Sequence, residues 1–195
     1  MAHLGQRQQQ TAGERIVTLL QLAFLVWAAV EAVWGQTSDA LALVAIFAVL
    51  QVPRLLRLPL IFDLAFLVGW TLQALGDAAG FWTRLPWWDT LVHGTLPAVL
   101  APTALLLLIR IGILPAVHAL RGKRSAVETV LLVFLIAAGF GTIYEIYEWF
   151  ADTHLGAHYQ PDNTDTMTDT TANAVGGLVG GLSLAAWARW TPGPG

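Results

Sequence analysis

The sequence predicts an all-α, polytopic transmembrane helix bundle of about six spans. Three observations predict it. The 195 residues are 56% hydrophobic and 12% charged, about half the charged fraction of a soluble domain. Six stretches lie near the ~20 apolar residues that a helix needs to cross the hydrocarbon. The basic residues fall almost entirely on one side of the resulting topology.

The spans follow in order. Ile16 to Trp34 is long enough to cross and reads as uncleaved, because polar Met1 to Glu14 lacks a signal-peptide core. Ser38 to Val52 is shorter and stops at Pro53. Leu60 to Leu75 follows Pro59. Trp87 to Ile109 is the fourth, Val127 to Phe150 the fifth and Thr164 to Trp187 the sixth, entered through a polar loop, Ala151 to Asn163. The expected organisation is a cytoplasmic segment 1–14, one bundle over 15–190 and a tail at 191–195.

With a cytoplasmic N-terminus, the inner side collects Arg7, Arg15, Arg54, Arg57, Arg110, Arg121, Lys123, Arg124 and Arg189. Only Arg84 falls outside. This bias supports both the span number and the orientation, with both termini cytoplasmic. Gly122 falls inside; Thr83 and His158 fall outside. Trp82, Trp87, Trp88 and Trp149 lie at the outer ends, as an interfacial aromatic belt would.

The same topology gathers acids. Asp89 and His93 sit one turn apart in the outer end of the fourth span. Glu145 and Glu148 share a face in the last turns of the fifth. Asp165, Asp169 and Asn173 step by four into the sixth, drifting only ~40° per step. Asp162 lies one turn earlier, as a loop ligand or N-cap. Carboxylates in lipid are costly unless paired, protonated or bound to a cation. A divalent metal ion (Zn, Mn, Mg or Ca) is expected on Asp89, His93, Glu145, Asp165 and Asp169, with Asp162 and Asn173 as additional ligands. Glu148 is left as a general base. The bland reading is an acidic vestibule at frayed helix ends, with one acid at the start of the sixth helix serving its dipole.

Other features read as follows. Gly177 and Gly181, with Gly176 and Gly180, form small-residue rows for close helix approach, within the bundle or toward a second copy. Gly139 and Gly141 read as packing residues. Tyr144 and Tyr147 offer hydroxyls or aromatic packing. His154 and His158 lie in a solvated loop or over the site. Glu31 is an outlying candidate, and Asp63 is expected to pair with Arg54 or Arg57. There is no cysteine, no G-x-S-x-G elbow, no phosphate loop and no lysine within a span. Thiolate chemistry and a retinal-type Schiff base are excluded. No basic aromatic patch points to nucleic acid.

At these residues the chain resembles the YjdF-like bacterial inner-membrane proteins. The matching pieces are Asp89-Thr90-Leu91-Val92-His93-Gly94 with Pro97 following, then Tyr144-Glu145-Ile146-Tyr147-Glu148-Trp149. The third is Asp162-Asn163-Thr164-Asp165-Thr166-Met167-Thr168-Asp169. They resemble the family order D-x-x-x-H, Y-E-x-x-E-W, D-x-x-D-T-x-x-D and cover roughly the C-terminal half. The chain departs from the family at Pro161-Asp162, where a Gly-Asp is common; the carboxylate is kept. The order is similar, more distantly, to VanZ-like membrane proteins. The resemblance implies a multi-pass protein of the bacterial inner membrane and no particular reaction.

Three function classes follow. The first is a metal-dependent hydrolase or transferase acting on a lipid-linked or envelope substrate from the outer leaflet. The second is a cation or proton transporter or sensor, which needs polar groups at depth. The third is a structural or accessory subunit docked through the glycine rows. Membrane lipids are partners in each.

Overall fold

The computed structural model describes residues 11–114 and 123–190. The polar segment to residue 10 with Arg7, the Arg121 and Gly122 positions, and the tail at 191–195 lie outside the described residues. The described residues form helices and no strands: α1 (Ala12–Val33), α2 (Thr37–Val49), α3 (Val52–Leu55), α4 (Leu60–Ala78), α5 (Phe81–Arg84), α6 (Trp88–Arg110), α7 (Lys123–Leu155) and α8 (Asn163–Trp190). The chain divides into two compact units, Met1–Val68 and Gly69–Gly195.

In the first unit, Thr11 and Glu14 close a reciprocal capping box that starts α1. Gly35, at φ 80°, turns the chain into α2. Val17, Phe24 and Ala28 are buried on α1, and Ala40, Leu43, Ile46 and Leu50 at α2. Buried Gln21 donates its amide to the carbonyl of Leu50 at 3.1 Å, so its polarity is partly satisfied where α2 ends. The expected partner of Asp63 is Arg54, with Nε 3.1 Å from Oδ2. Arg54 also donates to the Thr18 hydroxyl at 2.9 Å.

In the second unit, α8 lies between α6 and α7. Gly176 faces Gly94, and Gly180 faces Ala98 and Pro102, so α8 runs parallel to α6. Gly177 faces Ala137 and Phe134, and Gly181 faces Val130, so α8 runs antiparallel to α7. Pro102 has no N–H for the carbonyl of Ala98. A Cβ at Gly180 would stand 2.5 Å from that oxygen, so only glycine lets α8 cover it. The two glycine rows, also read as a face for a second copy, are thus occupied by the chain's own helices. Gly141 packs on Asn173, whereas nothing lies within 4 Å of a Cβ at Gly139. Gly139 is therefore not a packing residue among the described residues.

Among the described residues, five helical segments are long and apolar enough to cross a membrane: Ala12–Val33, Thr37–Leu55, Leu60–Ala78, Trp88–Arg110 and Ser125–Leu155. The sixth expected span is α8. Its 28 residues reach ~42 Å, but its first third is rich in Thr and Asp and its middle in Gly, which keeps it less apolar. Its exposed residues nevertheless include Val175, Leu178, Val179 and Leu182, while its buried ones are Asp, Asn, Gly and Ala with a single leucine, Leu184. Helix α7 largely repeats the pattern: Leu131, Leu135, Ile143 and Ile146 are exposed, while Thr129, Val133, Ala137, Gly141, Glu145 and Glu148 are buried. Apolar surface outside and polar or small surface inside is what a lipid solvent selects. The molecule is an all-α helical membrane bundle.

Two local expectations are corrected. Helix α7 continues to Leu155, so the loop shrinks to residues 156–162; Gly156, at φ 72°, ends the helix in the left-handed conformation. Of the four belt tryptophans, Trp88 is buried and packs edge-on against Phe81 at 4.6 Å, because the short helix α5 folds over it. Trp87 and Trp149 remain exposed.

Candidate functional site

His93 is the centre of the site. It stands on the second turn of α6, one turn after Asp89, with Nε2 3.4 Å from Asp89 Oδ1. The buried stripe of α7 passes Val133, Ala137 and Gly141 and ends in Glu145 and Glu148. Helical periodicity therefore carries both carboxylates inward. Glu145 Oε1 lies 3.9 Å from His93 Nδ1. From α8, Asp169 Oδ2 lies 4.0 Å from His93 Nε2, and Asn173 Nδ2 lies 3.3 Å from Nδ1. The bare Cα of Gly141 makes room for Asn173: a Cβ there would meet its amide at 2.5 Å.

These groups are deeply placed. Asp169 is 1% exposed, Asn173 3%, His93 and Glu145 7% and Glu148 8%. Among the described residues, Glu145 Oε1, Asp165 Oδ2 and Asp169 Oδ2 are buried oxygens with no hydrogen-bond partner. Buried carboxylate oxygens ordinarily have one. The ion-pair contacts of Asp89, Glu145 and Asp169 run to His93. One imidazole offsets at most one charge.

Among the described residues, two sets of donor atoms could hold a metal ion. Asp89, His93 and Asp169 form one, and His93, Glu145 and Glu148 the other; within each, the donor atoms lie within 4.8 Å of one another. Of the expected ligands, Asp89, His93, Glu145 and Asp169 thus come together. Glu148, read as a free base, joins Glu145 as a potential ligand because three residues of helix put both on one face. Asp165 belongs to neither set, although its Oδ2 is buried. Asp162 is exposed and caps α8 through the amides of Thr164 at 2.7 Å and Asp165 at 3.2 Å. The Asp165 and Thr164 amides hold its carboxyl below the usual range. Asn173 reaches the imidazole as a neutral partner.

Gln160 was not anticipated. Its amide donates to Glu145 Oε2 at 2.8 Å and to the Glu145 carbonyl at 3.2 Å. Asp152 accepts the backbone amides of Tyr159 and Gln160, both at 2.8 Å, and holds the loop there. No spacing rule links Gln160 to Glu145, since a loop fold makes the contact. Tyr144 packs edge-on against the His93 ring at 5.5 Å, so it serves as aromatic packing. His154 is helical and lies against Trp149 and Phe150, away from the expected loop position.

A cavity of about 510 Å³ opens between α7 and α8, with Glu145, Gln160, Asp162, Asn163 and Trp149 in its walls. A second, of about 550 Å³, opens between α6 and α8 beside Thr90, Gly94 and Met167. Only the first reaches the cluster, at Glu145, and it is of small-molecule size.

No curated protein and no solved structure matches the chain. The model of a family described as "Predicted membrane protein (DUF2238)" matches residues 13–190, which takes in every described helix from its first turn onward and all of the clustered residues. The membrane class read from composition and helix length agrees with that description, and the chain belongs to the family Predicted membrane protein (DUF2238).

Proposed function

We propose that this is a metal-dependent membrane hydrolase or transferase, with a divalent cation held by Asp89, His93 and Asp169. One observation carries it. Asp169 is almost completely buried, yet its Oδ2 has no hydrogen-bond partner among the described residues and points toward His93 Nε2 at 4.0 Å. A cation between Asp89, Asp169 and the ring nitrogen relieves that desolvation cost, which for an unpaired carboxylate is several kcal/mol. Two carboxylates and one imidazole suit Zn or Mn, and leave positions open for substrate or water.

Held by these residues, a cation would supply Lewis-acid chemistry toward a phosphoryl or carbonyl oxygen or a water. Asp165 lies outside both donor sets, with a buried, unpartnered Oδ2, and takes the role of proton acceptor that the sequence suggested for Glu148. The basic residues support an outward-facing site: Arg110 and Arg189 stand at the ends of α6 and α8 opposite Asp89 and Asp165. A lipid-linked substrate of the outer leaflet of a bacterial inner membrane then enters through the cavity between α7 and α8. Transport is less favoured, since inward of the cluster α8 presents Gly and Ala to its neighbours.

Elemental analysis of protein purified without a metal-affinity tag tests the cation. Stoichiometric Zn or Mn is expected, with the equivalent at His93 Nε2 lost in Asp169→Asn. Metal-free protein that also fails to bind either ion on titration would overturn the proposal.

A further inference from the structure

We propose, resting on the cation site above, that the centre takes a second divalent cation on Glu145 and Glu148, making it a two-cation site. The two donor sets meet His93 from opposite sides of its ring. Asp89 and Asp169 face Nε2, at 3.4 and 4.0 Å, while Glu145 faces Nδ1, at 3.9 Å. One cation at Nε2 therefore leaves the Glu145 and Glu148 side unattended.

Charge supports the second ion. Asp89, Glu145, Glu148, Asp165 and Asp169 converge on one end of three packed helices. One divalent cation offsets two of the five carboxylates. Asn173, 3.3 Å from Nδ1, is neutral and offsets none. Gln160 satisfies Glu145 Oε2 with a neutral amide, again adding no charge.

An independent observation points to a ligand at this second position. Glu145 is 7% exposed, and its Oε1 has no hydrogen-bond partner among the described residues. Glu148, 8% exposed, has a carboxylate oxygen in the same donor set. Two buried carboxylates on consecutive turns repel unless something positive lies between them. The cavity between α7 and α8 reaches Glu145, so the ion has an entry path.

The two positions differ in chemistry. The Nε2 position offers an imidazole and suits Zn or Mn. The glutamate position offers carboxylate oxygens and suits a harder ion, Mn, Mg or Ca. Two cations held there would offer positive charge on both sides of the imidazole to an anionic group. The substrate class is then a phosphate ester or diphosphate, whose negative charge the pair of ions would accept.

The experiment is Mn²⁺ titration of the chelator-stripped full chain in detergent, read by elemental analysis and electron paramagnetic resonance. Two equivalents are expected at saturation, with a spectrum broadened by coupling between the ions. Glu145→Gln with Glu148→Gln should bind one equivalent and lose the broadening. Saturation of wild type at one equivalent overturns the second cation and leaves the first standing. Two uncoupled equivalents overturn it too, by placing the second ion elsewhere. No binding at all removes both. Should the double variant fail to fold, wild-type stoichiometry and coupling decide the question.

Discussion

Gly176 of α8 lies against the carbonyl oxygen of Gly94 of α6, one residue after His93, so closely that a Cβ at 176 would overlap that oxygen. The helix bearing Asp169 is thereby drawn onto the helix bearing His93. Gly176→Ala should force the helices apart and destabilise the bundle by about 1–3 kcal/mol, as overpacking does. Gly139→Ala, with open space around its Cβ, should be neutral or stabilising by up to ~1 kcal/mol. Thermal midpoints in one detergent compare them; equal losses in both would refute the close approach.

Asp169 and Asp165 should separate ligand from non-ligand. Chelator should lower the thermal midpoint of wild type, because a cation bound only to the folded state stabilises it by mass action. Asp169→Asn should remove the share of that sensitivity due to the cation at His93 Nε2. Asp165→Asn should keep both the metal and the sensitivity, since Asp165 lies outside both donor sets. Loss of metal in Asp165→Asn would return Asp165 to the ligand shell.

Asp162 should stabilise α8 in a pH-dependent way. Its carboxyl is held below the usual range by the Asp165 and Thr164 amides. A depressed folded-state pKa gives stability that is present above the unfolded value, ~3.9, and lost as pH falls through the folded value. Asp162→Ala should therefore melt below wild type at pH 7, with the gap closing toward pH 2. A gap that persists in acid would assign the effect to something other than the charged cap.

Arg57 occupies a left-handed conformation, at φ 51°, just after α3. A non-glycine residue there is strained by roughly 1–2 kcal/mol. Arg57→Gly should raise the thermal midpoint. A fall would mean that the arginine side chain contributes more than the backbone strain costs.

Orientation is testable by single cysteines in a chain that has none. Thr83→Cys and His158→Cys should react with an impermeant reagent in intact cells. Reaction at Gly122→Cys instead would invert the topology and place the site inside.

Much of the molecule was legible because lipid imposes simple demands. Spans must be long and apolar, so Trp87 to Ile109 anticipated α6 to within a residue at each end. Helical spacing put Asp89 with His93, and Glu145 with Glu148, on common faces. The boundary near Ala151 was missed because polar residues need not end a helix; Gly156 does. The belt role of Trp88 failed because a short helix, α5, covers it, and four residues leave little periodic signal.

Sequence alone determined the membrane class, the helical spans and which acids share a helix face, since each depends on local composition and spacing. Tertiary structure decided which acids meet one imidazole. The close approaches at Gly176 and Gly141 bring Asp169 and Asn173 to His93. The folded loop brings Gln160 to Glu145. It also moved Glu148 into a donor set and left Asp165 out. Those outcomes depend on the rotation and depth of one helix against another, which side-chain packing sets across the bundle and no spacing along one chain encodes.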